Sequence, residues 1–165
     1  MDLKHCTAVL FVKDAKKSCD FYVNTLGFTV VMNNGDLNYM FKEGLAIWQI
    51  TDDNIIPKTL GSENIYNSKA ASRFEVCFET DDLDGVYNTL KEQSVKLLHE
   101  INTEIWGQRN IRFYDLDGHL FEVGEAMPIF LKRIYEEEGE DIEATAKRTF
   151  TTPEVLRHFL GINDL

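Results

Sequence analysis

The sequence has little cysteine, no long apolar run and no excess of basic residues. Its three cysteines, Cys6, Cys19 and Cys77, are widely spaced without a CxxC pair, which predicts neither a disulfide framework nor a cysteine zinc site. Apolar runs such as residues 8–12 are far too short to cross a bilayer, and the first residues contain no apolar export segment. We therefore expect a cytoplasmic protein with reduced thiols and no membrane partner.

The excess of acidic over basic residues limits the kinds of partner that the chain is expected to bind. A formal net charge of -11 makes a bare phosphate backbone a poor partner, because nucleic-acid affinity depends on Lys and Arg that displace counterions. Cationic or neutral small ligands fit better, and acidity that only keeps the protein soluble is the alternative. With 165 residues and 44% hydrophobic content, the chain can bury one core and carry a short appendage.

The first third of the sequence predicts a strand, a capped helix and three more strands. Residues 4–12 are strand-like, and Asp14 is a good N-cap for a helix that Gly27 would end. Three antiparallel strands are then predicted at 28–33, 37–43 and 45–51. This order is a βαβββ unit.

The same order repeats in the second half. A strand at 73–80 precedes a helix capped by Asp82, and residues 95–125 supply three further strands. Asp14 and Asp82, like Gly44 and Gly118, take equivalent places, which indicates an internal duplication. The predicted class is α+β, with one domain divided into module one (1–54), a linker (55–71) and module two (72–126).

Residues 127–165 predict a C-terminal helical extension, in which Thr152 and Pro153 open a last helix that Gly161 ends. Acidic residues outnumber basic ones here, whereas a DNA-reading helix should be basic. We therefore expect the helices to pack on the domain or on a partner subunit, with no nucleic acid bound. The apolar face of residues 127–135 favours a homodimer.

Three segments carry a resemblance to a known family. The stretches "FVKDAKKSCDFYVNTLGF", "FETDDLDGVYNTL" and "WGQRNIRFYDLDGHLFEVGE", in this order, resemble the vicinal oxygen chelate superfamily, which includes glyoxalase I, bleomycin resistance proteins, fosfomycin resistance enzymes and extradiol dioxygenases. The resemblance covers roughly residues 4–126. It implies that each module curls into a half-barrel and that paired half-barrels enclose a pocket.

The resemblance also implies four inward positions, since the metalloenzymes of this superfamily place one ligand on the first strand and one on the last strand of each module. In this sequence these positions are Thr7, Trp48, Glu75 and Glu122. Trp cannot coordinate a cation and Thr is a weak donor, so we expect no cofactor. A divalent metal on Glu75 and Glu122, with His5 as a displaced ligand, is the alternative.

Two carboxylates in one pocket repel each other, and another group must compensate this repulsion. At about 4 Å and an effective dielectric constant near 20, Glu75 and Glu122 would repel each other by roughly 4 kcal/mol. A metal, a shared proton, an internal arginine or a cationic ligand could compensate. Arg112 is the internal candidate, because Ile111 and Phe113 should occupy the helix-facing side of the same strand.

Alternation along the strands completes the predicted site. The predicted ligand-binding residues are Thr7, Trp48, Glu75, Cys77, Arg112, Tyr114 and Glu122. Trp48, with Phe11 and Tyr39, would add aromatic surface for a planar or cationic molecule, unless these rings only fill the core. We predict that Cys77 is a buried inert thiol and that His119, beside a turn, faces solvent.

Three functional hypotheses follow. The leading one is a protein that sequesters a small organic molecule, cationic or aromatic, at a degenerate metal site. The second is a metal-dependent lyase or isomerase of the glyoxalase kind, with Glu122 as the catalytic group. The third is a ligand-sensing regulator that acts through the C-terminal helices. The two modules could pair within one chain or between two chains.

Overall fold

The computed structural model describes residues 8–66 and 75–162. The predictions at Thr7, His5 and Cys6 lie outside these residues. The first module contains β1 (Ala8–Phe11), α1 (Ala15–Asn24), β2 (Val30–Asn34), β3 (Asn38–Phe41) and β4 (Leu45–Trp48). As predicted, Asp14 caps α1, and its carboxylate accepts the backbone N–H of Lys17 at 3.0 Å.

The strands of the first module form one mixed sheet with the order β1-β4-β3-β2. β1 and β4 run parallel, while the other neighbours are antiparallel. The helix-facing side is apolar, and Tyr22 of α1 packs there against Phe41 with a ring separation of 5.3 Å. Burial of these large rings holds the helix on the sheet.

The segment that follows is helical, where a linker was predicted. It forms α2 (Ile55–Leu60) and α3 (Ser62–Tyr66). Pro57 and Gly61 had indicated a loop. Pro57, however, lies in the first turn of α2, where a missing N–H breaks no helical hydrogen bond, and Gly61 ends α2 with φ at 80°.

The second module repeats the order of the first, which confirms the predicted α+β duplication. It contains β5 (Glu75–Thr80), α4 (Leu83–Glu92), β6 (Leu97–Thr103), β7 (Arg109–Tyr114) and β8 (Leu120–Glu125). Its sheet order, β5-β8-β7-β6, matches that of the first sheet position by position. Asp82 caps α4 through the N–H of Gly85 at 2.8 Å, as Asp14 caps α1.

The C-terminal extension consists of α5 (Met127–Glu137), α6 (Ile142–Thr149) and α7 (Pro153–Leu160). The three helices share a buried apolar cluster of Phe130, Leu131, Ile134, Ala146 and Leu156. The chain's own α6 and α7 therefore cover Phe130, Leu131 and Ile134 of α5, whereas Ile129 stays 44% exposed. The homodimer stays a prediction.

The chain divides into two compact units whose boundary falls inside β5, directly after Glu75. One unit contains the first sheet together with Tyr114–Leu120, the turn between β7 and β8. The other contains Val76–Phe113, most of β8 and the C-terminal helices. Among the helices within 8–66 and 75–162, none combines the length and the apolar composition of a membrane span.

Candidate functional site

Arg112 is the centre of a polar cluster on the second sheet. Its guanidinium forms an ion pair with Glu122 on β8, and Nη1 donates to Glu104 Oε1 at 3.1 Å. All three side chains are mostly buried, with exposed fractions of 17–21%. The contact predicted between Arg112 and Glu122 is present, and Glu104 adds a second carboxylate to the same guanidinium.

The side-chain amide of Asn110 bridges the carboxylates of Glu104 and Glu122. Its Nδ2 donates to Glu104 Oε1 at 2.8 Å and to Glu122 Oε2 at 3.1 Å. The residue is 1% exposed, and its Oδ1 has no hydrogen-bond partner among the described residues. A buried carbonyl oxygen without a donor costs about 1–3 kcal/mol, so Asn110 offers a ligand an acceptor that is already desolvated.

Strand alternation explains how β7 presents these groups. Asn110, Arg112 and the half-buried Tyr114 occupy alternate positions on one face, whereas Ile111 and Phe113 are buried on the other. The predicted division of this strand into a core face and a polar face is confirmed at Ile111, Phe113 and Arg112. Tyr114 stays a prediction as a ligand contact.

Glu104 and Asn110 were not among the predicted site residues. Asn110 could have been found, because it lies two residues before Arg112 and therefore on the same face. Glu104 could not, because the pairing of β6 with β7 shifts register twice before it. The hydrogen bonds from Asn110 and from Arg112 lower the pKa of Glu104, which keeps this group ionised.

Glu75, Cys77 and Glu122 form a second cluster on the same sheet. Each offers one ligand atom, and these atoms lie within 4.8 Å of one another. Cys77 is exposed, so the prediction of a buried thiol is wrong. The reason is its place on the edge strand β5, where alternate residues point away from Phe78, which stacks on Phe121 at 6.2 Å.

Trp48 lies on the first sheet, half-buried beside Phe11. The two residues are paired in register between β4 and β1, and their rings meet edge to face at 6.2 Å. Tyr39 does not share this surface, because it pairs with Ile47 on the buried face, and its hydroxyl donates to Asp36 at 3.0 Å. The aromatic surface is thus Trp48 with Phe11, and its contact with a ligand stays a prediction.

Asp115 and His119 form a buried network in the turn between β7 and β8. The Asp115 carboxylate accepts hydrogen bonds from the Tyr22 hydroxyl at 2.7 Å and from the backbone N–H of His119 at 2.8 Å, and it lies 2.8 Å from His119 Nδ1. The prediction that His119 faces solvent is wrong, since its side chain is only 20% exposed. The interaction with Asp115 keeps the His119 ring in the protein interior, so we assign this histidine a structural role.

The pKa values of this pair move in opposite directions. Burial alone would lower the pKa of His119, but the hydrogen bond and the charge of Asp115 outweigh burial and raise it. Burial alone would raise the pKa of Asp115, but His119 and Tyr22 outweigh burial and lower it. The ion pair is therefore fully formed between the two values.

We expect the stabilisation by His119 to decline as pH rises. Because its pKa is raised by folding, the contribution is complete below its ordinary value and is lost as pH rises through the folded-state value. His119→Gln should lower the free energy of unfolding by about 1.5–3 kcal/mol near pH ~5.5 and by less near pH ~9. Urea denaturation across this range measures the difference, with His158→Gln on the exposed face of α7 as control. A difference that grows with pH would contradict the assignment.

Comparison with known proteins agrees with this architecture. A family model described as a glyoxalase-like domain matches residues 5–128. The metallothiol transferase FosB of Staphylococcus haemolyticus is 29% identical over 112 residues, which cover 68% of this chain and 76% of the relative. A bleomycin resistance protein of Geobacillus stearothermophilus is 28% identical over 120 residues, with coverages of 66% and 86%.

Among solved structures, a protein of unknown function from Agrobacterium tumefaciens str. C58 has the same fold, with a TM-score of 0.62 and 30% identity. The similarity covers 77% of this chain and 97% of that one. The family match ends at residue 128, at the start of α5, so most of the helical extension lies beyond it. With two βαβββ modules and a family match over most of its length, the chain belongs to the glyoxalase-like domain family of the vicinal oxygen chelate superfamily.

Proposed function

We propose that this protein binds a small organic molecule that carries a protonated nitrogen, at the face formed by Asn110, Arg112 and Glu122. Arg112 is shared between Glu104 and Glu122, so these three groups together carry one more negative than positive charge. The observation that carries the proposal is Asn110 Oδ1, a buried acceptor beside these carboxylates to which no described residue donates a hydrogen bond. An ammonium or amidinium group supplies both a positive charge and an N–H donor.

Each group has a distinct part in this proposal. Glu122 attracts the charge of the ligand, Asn110 Oδ1 accepts its N–H, and Arg112 holds the carboxylates of Glu104 and Glu122 in place. Trp48, on the first sheet, stays a separate predicted ligand contact, and Thr7 lies outside the described residues. The relationship to a bleomycin resistance protein supports a role in which the ligand is bound and not chemically changed.

The test is a thermal-shift series with aromatic amines and their neutral alcohol counterparts, beginning with 2-phenylethylamine and 2-phenylethanol. We expect amines to stabilise the protein more than the alcohols do. Glu122→Gln should weaken amine binding about tenfold, equivalent to roughly 1.4 kcal/mol. Glu92→Gln, a matched change at the exposed end of α4, should not. Equal thermal shifts for amines and alcohols would contradict the proposal.

A metal-dependent enzyme is the second candidate, and the cluster of Glu75, Cys77 and Glu122 favours it. Mixed carboxylate and thiolate donors suit a divalent ion such as Zn²⁺, which could polarise a carbonyl oxygen. In that case Glu122 would be the catalytic group, as a ligand or as the base that removes a proton next to the carbonyl. The similarity to a relative named a metallothiol transferase also supports this metal site.

Metal analysis of protein purified without chelator separates the two candidates. A stoichiometric metal that is lost in both Cys77→Ser and Glu122→Gln would support the metal-dependent enzyme and contradict ligand binding without chemistry. A metal retained by both variants would exclude this ligand set. Arg112→Met should raise metal occupancy if the guanidinium and the ion compete for Glu122.

A further inference from the structure

A buried ion pair joins the C-terminal extension to the strand that carries Glu122. Glu125, the last residue of β8, is 5% exposed. Arg133 of α5 binds both of its oxygens, with Nη2 at 2.6 Å from Oε2 and Nε at 3.3 Å from Oε1. A buried carboxylate needs such a partner, so α5 and β8 depend on each other here.

The same arginine also holds the turn between β6 and β7. Arg133 Nη2 donates to the carbonyl of Gly107 at 2.8 Å. Gly107 has φ at 97°, and a Cβ added to it would lie 2.8 Å from Ile134 Cδ1. Trp106 packs against the apolar cluster of the three C-terminal helices. The turn between β6 and β7 thus packs directly against α5.

The other end of this turn is Glu104, a member of the polar cluster. The backbone N–H of Glu104 donates to the carbonyl of Gln108 at 2.9 Å, and the N–H of Gly107 donates to the carbonyl of Glu104 at 2.8 Å. These bonds close the turn, so a shift at Gly107 is passed to Glu104. The Glu104 carboxylate contacts Asn110 and Arg112.

We propose that Arg133 is a positioning residue, through which the C-terminal helices hold Glu104, Asn110 and Arg112 in their binding arrangement. Release of α5 would loosen the turn and lower the affinity of the site for its ligand. The helices, which lie almost entirely beyond the family match, would then regulate the site on the second sheet. The effect on affinity rests on the proposed function, whereas the effect on the positions of the side chains does not.

The test compares Arg133→Met with Arg148→Met. Arg148 pairs with Glu137 and Glu138 at 2.7 Å inside the extension, so its replacement also removes two ion pairs from the same helices. Nitrogen-15 NMR of the Asn110 side-chain amide and the Arg112 guanidinium reports the cluster without any ligand. We expect both signals to shift in Arg133→Met and to stay in place in Arg148→Met. Affinity for 2-phenylethylamine should fall about tenfold only in the former.

Arg133→Lys covers the case in which Arg133→Met does not fold. A lysine can pair with Glu125 but cannot span two carboxylate oxygens and the Gly107 carbonyl, so we expect smaller shifts of the same signals. Unchanged signals in a folded Arg133 variant, or equal shifts in Arg148→Met, would overturn the inference. Shifts confined to the Arg133 variants support it even if wild type binds no 2-phenylethylamine, in which case only the proposed function loses support.

Discussion

Asp115→Ala is expected to lower the free energy of unfolding by about 3–5 kcal/mol. The carboxylate accepts hydrogen bonds from the Tyr22 hydroxyl, from the backbone N–H of Asp117 and from that of His119, and pairs with His119 Nδ1, at distances of 2.7–3.0 Å. Its side chain is 1% exposed, so water cannot replace these bonds. Alanine would leave several buried donors without an acceptor.

Urea denaturation at neutral pH measures this loss. Leu116→Ala, in the same turn but 61% exposed, should change the free energy of unfolding by no more than about 0.5 kcal/mol. Tyr22→Phe should cost about 1 kcal/mol, because it removes one hydrogen bond and keeps the ring. A loss of less than about 1.5 kcal/mol for Asp115→Ala would show that the network is worth no more than one ordinary hydrogen bond.

Phe121→Ala is expected to cost a similar 3–5 kcal/mol, for a different reason. Phe121 is fully buried and stacks between Phe113 at 5.5 Å and Phe78 at 6.2 Å. Its removal leaves a cavity that the rigid sheet cannot close. The neighbouring Glu122→Gln should cost only about 1 kcal/mol, since glutamine can still accept from Asn110 and Arg112 keeps Glu104.

The pair of variants tests the division of β8 into a core face and a site face. Equilibrium denaturation gives the stabilities, and the amine-binding series gives the affinities. Phe121→Ala should lower stability and leave amine affinity within about threefold in the folded fraction. Glu122→Gln should instead lower amine affinity and change stability little. If Glu122→Gln were the more destabilising change, the face assigned to ligand binding would be structural.

The secondary structure was predictable where its signals are local. Asp14, Asp82 and Thr152 each accept a backbone N–H at the start of a helix, and that interaction spans only three residues. The alternation of Ile111, Arg112 and Phe113 likewise needs only the geometry of one strand. The helices at 55–66 were missed because the same residue types, proline and glycine, serve both loops and helix ends.

The site was predictable only in part, because several of its features depend on distant neighbours. The contact of Arg112 with Glu122 follows from alternation on two strands. The inward turn of His119 depends on Asp115 and Tyr22, which no local pattern connects to it. The exposure of Cys77 follows from the edge position of β5, which is a property of the sheet order. Glu104 depends on a shifted register.

The turn at Tyr114–Leu120 belongs to the compact unit of the first sheet, although both strands that it joins belong to the second sheet. The hydrogen bond between Tyr22 and Asp115 spans 93 positions of the chain. Closing so long a loop is entropically costly and slow, so this hairpin should be completed late, after α1 has docked on its sheet. A fragment that begins at residue 72 lacks Tyr22 and should not reach the native turn by itself. We therefore expect the two halves of this duplicated chain to unfold in one cooperative transition.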